Sequence, residues 1–272
     1  MDAMEVRSGA SNWKLTVRRE AEGVTLLRAM TCDERAVLPE TLFGLPVTAL
    51  GPHALSPLAR AAEGEAVELT CGLPESGAVW DNRSLTDLTL PATLRRVGDY
   101  AFSNCGNLAA LRLHDAVDYW GGGVLTNCRS LNRFYLTRTG EQGAAMAYFV
   151  AELSRELDVT VYNPDGSVTR LIFPEYEETE EEDFIAQAVQ FQYHISGAGY
   201  LYHGCFQRKR LNLKDFDNLW PEYLRRDYDE ETALRLAWYR LQYPVELTEK
   251  AAAGYLGYLK SRAEAAVAWL VG

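Results

Sequence analysis

Three groups of side chains in this sequence have the composition to do chemistry. The segment HISGAGYLYHGCF (194–206) gathers His194, His203 and Cys205 among three glycines and two tyrosines. A cysteine and a histidine can serve as nucleophile and base when they meet in space and a third group orients them. Their spacing fits no common zinc signature. Gly197-x-Gly199 followed by Gly204 lacks the strand–glycine–helix setting of a phosphate-cradling loop. The bland reading of the segment is a helix end followed by an aromatic-packed turn.

A second group is the pair DYAFSNCGNL (99–108) and GVLTNCRSL (123–131), which places Cys105 and Cys128 each after an asparagine and 23 positions apart. They are metal ligands or nucleophiles on one reading. On the other they are buried thiols that behave as small inert hydrophobes. The third group is charge: an acidic run, EYEETEEEDF (175–184), and a short basic patch, FQRKRLNLK (206–214). Consecutive acids on a helix spread around its polar side rather than converge, so a solvated face is expected there. The basic patch reads as a local counterpart to nearby acids.

The elements that must position these groups are legible in a repeat. Aligned without gaps, residues 85–107 and 108–130 match Leu85 with Leu108, Leu88 with Leu111 and Leu90 with Leu113. Val97 then falls on Trp120, Gly98 on Gly121, Ala101 on Val124, Phe102 on Leu125, Asn104 on Asn127 and Cys105 on Cys128. A third unit opens with Leu131, Phe134 and Leu136 in the same slots. Each Leu-x-x-Leu-x-Leu predicts a short strand with alternate residues inward. Pro91 turns the chain, Val97-Gly98 supplies a second short segment, and Ala101-Phe102 fills the interior. One unit cannot bury its apolar face alone, whereas stacked units can, which predicts a solenoid.

Weaker copies run upstream. VTALGPHALSP (47–57) sets Leu50-Gly51 in the place of Val97-Gly98, and 67–84 is read as the intervening unit, with Val67 and Leu69 as strand positions and Ala78-Val79 as its turn. WKLTVRREAEGVTLL (13–27) alternates around Glu22-Gly23 and predicts a β-hairpin capping the N-terminal end.

The pattern LTDLTLPATLRRVGDYAFSNCGNL (85–108) resembles the BspA-like leucine-rich repeat of bacterial proteins, and LPETLFGLPVTALG (38–51) is similar to the opening repeat of that family. The resemblance covers roughly residues 10–140. It implies a binding scaffold, of a kind often adhesive when secreted.

Beyond about Ala144 the period is lost. AAMAYFVAELSREL (144–157) carries an i, i+3, i+4 apolar stripe and predicts a helix. Residues 159–173 alternate on both sides of Asn163-Pro164-Asp165-Gly166, a hairpin signal. Pro174 and the acids that follow predict a helix start. Asp229 and Thr248 read as N-caps of two further helices, the second running to the C-terminal end. The expected fold class is therefore α+β: a leucine-rich-repeat β-solenoid with a hairpin cap over 1–140, then a mostly α-helical domain over 141–272 containing the hairpin at about 159–173.

Composition bounds the function. Of 272 residues 47% are hydrophobic and 24% charged, as in a folded globular chain. A formal net charge of -11 repels phosphate backbones and anionic lipid, so nucleic acid is not an expected partner. The sequence has no stretch suited to membrane insertion, since Lys260, Arg262 and Glu264 interrupt the most apolar segment. The first twenty residues hold no signal-like apolar core. Five scattered cysteines without CxxC fit reduced thiols, so a cytoplasmic location is expected.

No metal, cofactor or catalytic set is expected. The leading expectation is a non-catalytic scaffold that binds a protein partner through the outward positions of the repeat strands: Glu68, Thr70, Asp87, Thr89, Arg112, Arg133 and Tyr135. One alternative is an enzyme or small-ligand domain around His203 and Cys205, and another is a secreted adhesin whose signal has been removed.

Overall fold

The computed structural model describes residues 5–8, 11–71, 77–140, 143–185, 188–226 and 228–271, and the chain divides into two compact units, Met1–Ala145 and Met146–Gly272. The first unit is built from β1 (Glu5–Ser8), β2 (Trp13–Arg19), β3 (Val24–Met30), β4 (Arg35–Val37), β5 (Thr41–Leu42), β6 (Leu45–Leu50), β7 (Glu65–Thr70), β8 (Asp87–Thr89), β9 (Arg96–Val97), β10 (Ala110–His114), β11 (Tyr119–Trp120) and β12 (Arg133–Thr137).

Two sheets enclose its core. One runs β12-β10-β8-β4, all parallel; the other runs β1-β7-β2-β3-β6-β9-β11, with β5 on β6. Asp87 pairs with Ala110 and Ala110 with Arg133, the 23-residue step of the sequence repeat made into a hydrogen-bonded ladder. The inward residues follow from the alternation: Leu88, Leu111 and Phe134 in one layer and Leu90, Leu113 and Leu136 in the next are buried. The second segment of each coil forms the parallel steps β6-β9-β11, where Leu50 pairs with Val97 and Val97 with Trp120.

The coils stack so closely that glycine is needed where they touch. A Cβ on Gly98 would lie 2.7 Å from the backbone of Gly51 and Pro52, and one on Gly121 would collide with the Asp99 backbone. The Asn-Cys pairs divide two tasks. Asn104 and Asn127 adopt left-handed backbone (φ 64° and 60°), which asparagine tolerates, and Asn127 Nδ2 donates to Asn104 Oδ1 at 3.0 Å. Cys105 and Cys128 point inward: Cys128 Sγ donates to the Phe102 carbonyl at 3.0 Å and Cys105 Sγ to the Leu55 carbonyl at 3.4 Å. Asn82, three residues before Leu85, fills the same slot one coil earlier. It is 1% exposed and donates to the carbonyls of Leu55 and Ala29 while accepting from Thr31 N–H.

The expected cap hairpin is present as β2 and β3, whose strand β3 continues in parallel into β6. The unit read over 67–84 is not a repeat coil. β7 pairs antiparallel with β2 and parallel with β1, in the second sheet, and the strand beside β8 is β4. Within the span read as that unit, residues 72–76 lie outside the described residues.

The second unit contains α1 (Ala145–Glu152), the antiparallel hairpin β13 (Leu157–Tyr162) and β14 (Val168–Phe173), a second hairpin β15 (Glu177–Ile185) and β16 (Ala188–Ser196), and the small pair β17 (Phe206–Gln207) and β18 (Arg210–Leu211). Helices α2 (Leu213–Asn218), α3 (Trp220–Tyr223), α4 (Glu230–Gln242), α5 (Glu249–Ser261) and α6 (Ala263–Val271) complete it. Asp229 and Thr248 are the N-caps, accepting from Thr232 N–H and Ala251 N–H. The last helical segment breaks at Arg262, where φ -122° and ψ 35° leave the helical region.

The helix predicted after Pro174 is instead the β15–β16 hairpin. AVQFQYHIS alternates apolar and polar residues strictly from Val189 to Ile195, and that period of two prevails over the acidic start that reads as a helix N-terminus.

The core of this unit is tied by a buried ion pair. Arg240, 0% exposed, donates from Nε to Asp217 Oδ1 at 2.7 Å and from Nη2 to Asp217 Oδ2 at 2.8 Å. Its remaining donors reach the carbonyls of Tyr243 and Val245, and Tyr255 Oη–H donates to Asp217 Oδ1 at 2.8 Å.

Candidate partner-binding face

Alternate residues of β4, β8, β10 and β12 leave the core and form straight rows on the outside of the first sheet. The ladder registers place Arg35, Asp87, Ala110 and Arg133 in one row, and Val37, Thr89, Arg112 and Tyr135 in the next. Of the expected face, Asp87, Thr89, Arg112, Arg133 and Tyr135 are thereby brought together. Glu68 and Thr70 are not: they sit on β7 in the other sheet, and Arg35 and Val37 hold the places assigned to them. The alternation of Val67 and Leu69 suits a strand of either sheet, so it could not tell the two apart.

Ala110 opposite Asp87 leaves room for a diagonal reach. Arg112 takes it, donating from Nε and Nη2 to the two oxygens of Asp87 at 3.1 and 3.0 Å. Its guanidinium carbon also lies 3.9 Å from the centre of the Tyr135 ring. Such a fork-on-carboxylate pair with a cation–π contact fixes a long side chain in one geometry before anything binds. Arg35, Arg133 and Val37 are exposed beside it. The face thus carries three guanidinium groups against one carboxylate, in a chain whose formal net charge is -11.

A family model for the BspA type leucine rich repeat region (6 copies) matches residues 76–151. Over those residues the chain carries BspA-type leucine-rich repeats. It is also similar to a solved structure, the crystal structure of the T. pallidum leucine-rich repeat protein, at 19% identity and a TM-score of 0.30, over 45% of this chain and 50% of that one. The chain therefore spans about half the length of that protein. No curated protein matches it.

The other sequence candidates end in different settings. Cys105 and Cys128 are interior rungs of the BspA-type coils, each 1% exposed, and burial pushes the Cys105 thiol well above its ordinary value. Cys205 closes a short 3-10 turn (Gly199–Cys205); it is 1% exposed, and burial pushes its thiol up to about 12, the wrong direction for a nucleophile. His203 packs edge-on to Tyr176 at 5.2 Å and tilted to Tyr200 at 4.9 Å, and its partial burial lowers its pKa. His194 lies on β16, in register with Thr179.

Of the acidic run, Glu177–Ile185 forms β15, and the side chains of Glu180 to Asp183 lie outside the described ones. The basic patch is the tight β17–β18 turn, with Arg208 and Lys209 in left-handed backbone. Among the described residues no group of three or more His, Cys, Asp or Glu is placed to hold a metal ion, and no helix is long and apolar enough to cross a membrane.

Proposed function

We propose that the chain is a non-catalytic protein-interaction scaffold whose partner docks on the outer face of β4, β8, β10 and β12. The observation that carries this reading is the rigid Asp87–Arg112–Tyr135 cluster flanked by exposed Arg35, Arg133 and Val37. Repeat solenoids bind through extended faces of this kind, and arginine and tyrosine held in place lose little freedom on binding. The surplus of guanidinium groups suits an acidic protein surface, because charge complementarity steers encounter and fixes register. The reading places the chain in the cytoplasm, where five scattered cysteines without a CxxC stay reduced. Affinity capture with the wild type and with an Arg133→Ala, Tyr135→Ala double variant tests it. The variant is expected to lose a protein that the wild type retains at low salt and releases at high salt; capture of the same set by both chains refutes the face.

A further inference from the structure

Two arginines are buried among the described residues, and they are treated in opposite ways. Arg240 has Asp217 at hydrogen-bond distance through two nitrogens. Arg28, on β3, is 7% exposed and has no carboxylate partner among the described residues; it donates from Nη1 to the His53 carbonyl at 2.9 Å. Burying a guanidinium without a counter-charge is costly, so a fold that keeps one there invites an anion.

Arg28 lines a cavity of about 610 Å³ within the first unit, a size suited to a small ligand. Leu27, Pro52, Leu58 and Ala59 supply an apolar wall, and Arg60 stands at the cavity as a second, exposed cation. Among the described residues no aspartate or glutamate lines it. His53 and Tyr100, from successive coils, stack over it with ring centres 5.2 Å apart and planes 7° from parallel. Both residues hold left-handed backbone (φ 56° and 55°), as Gly123 does (φ 60°) at the same turn one coil after Tyr100.

We propose that this cavity binds a carboxylate carried on an apolar or aromatic body: the carboxylate meets Arg28 and Arg60, and the body rests on Leu27, Leu58 and the Tyr100 ring. None of Asp87, Thr89, Arg112, Arg133 or Tyr135 lines the cavity, so this site stands or falls independently of the strand face.

The test is calorimetric titration of the full chain with four probes: 3-phenylpropionate, its amide, the peptide acetyl-Gly-Gly-Phe with a free carboxylate, and the same peptide amidated. Saturable binding is expected for at least one carboxylate, at least about tenfold weaker for the matching amide, and weakened again by about tenfold in Arg28→Met, with a smaller loss in Arg60→Ala. Tighter binding of the peptide than of phenylpropionate assigns the site to a chain terminus, and the reverse order to a free acid. Absence of saturation by either carboxylate up to about 10 mM, or equal binding of acid and amide, overturns the proposal. Because the acid–amide comparison is made on the wild type, it decides the matter even where Arg28→Met does not fold.

Discussion

Replacing Arg240 with methionine should unfold the second unit far more readily than its single-residue scale suggests. The guanidinium is 0% exposed and makes four hydrogen bonds, two of them to Asp217. Methionine fills much of the same channel but leaves the Asp217 carboxylate buried with Tyr255 Oη–H as its remaining neutral donor. Removing one partner of a buried pair costs about 3–5 kcal/mol, because the other charge stays behind. Asp217→Asn strands the arginine instead and should cost a similar amount.

The double variant removes both charges, so its loss should fall short of the sum of the two by at least about 2 kcal/mol. Urea unfolding followed by the helical circular-dichroism signal reads the second unit, where α2–α6 lie. A cost below about 1 kcal/mol for Arg240→Met, or strict additivity in the double variant, would refute the reasoning.

Three further outcomes follow from the same physics. Of the five cysteines, Cys32 and Cys71 should react promptly with a disulfide reagent while Cys105, Cys128 and Cys205 wait for unfolding; prompt reaction of Cys105 or Cys128 contradicts the rung assignment. Gly98→Ala should cost about 1–3 kcal/mol by thermal denaturation, since its Cβ meets backbone that cannot swing aside, and an unchanged Tm contradicts the close stacking of coils. Burial lowers the His203 pKa below its unfolded value of 6.5, so the folded state holds this ring neutral and loses stability as pH falls through that value. His203→Phe keeps the packing on Tyr176 and Tyr200 and should flatten the decline between about pH 7 and pH 5; parallel slopes contradict the assignment.

The repeat was readable because successive coils place a large apolar residue, mostly leucine, at the same inward positions, and two of them place cysteine in the same interior slot, which leaves a 23-residue imprint. Caps at Asp229 and Thr248 were readable for a similar reason: a helix start needs a side-chain acceptor within reach of its free N–H groups. Sheet membership was not. Glu68 and Thr70 belong to a strand whose alternation is correct for both sheets, and only long-range pairing with Leu15 and Trp13 decides between them. Arg35-Ala36-Val37 was passed over because three residues are too few to show a period. The β15–β16 hairpin was hidden by its acidic first strand, although Val189, Phe191, Tyr193 and Ile195 carried the signal. The Arg28 cavity left no local mark, since its residues come from β3, the turn after β6, the segment over 58–62 and the turns of two later coils.

The central claim concerns which surface a partner touches, and site-specific photo-crosslinking tests it most directly. A photoreactive side chain at Val37, exposed on the β4 edge of the face, should yield a discrete crosslinked species that excess wild-type chain competes away and the Arg133→Ala, Tyr135→Ala variant does not. The same group at Tyr119, exposed on β11 of the other sheet, should yield none. Crosslinking at 119 equal to or stronger than that at 37 would contradict the account.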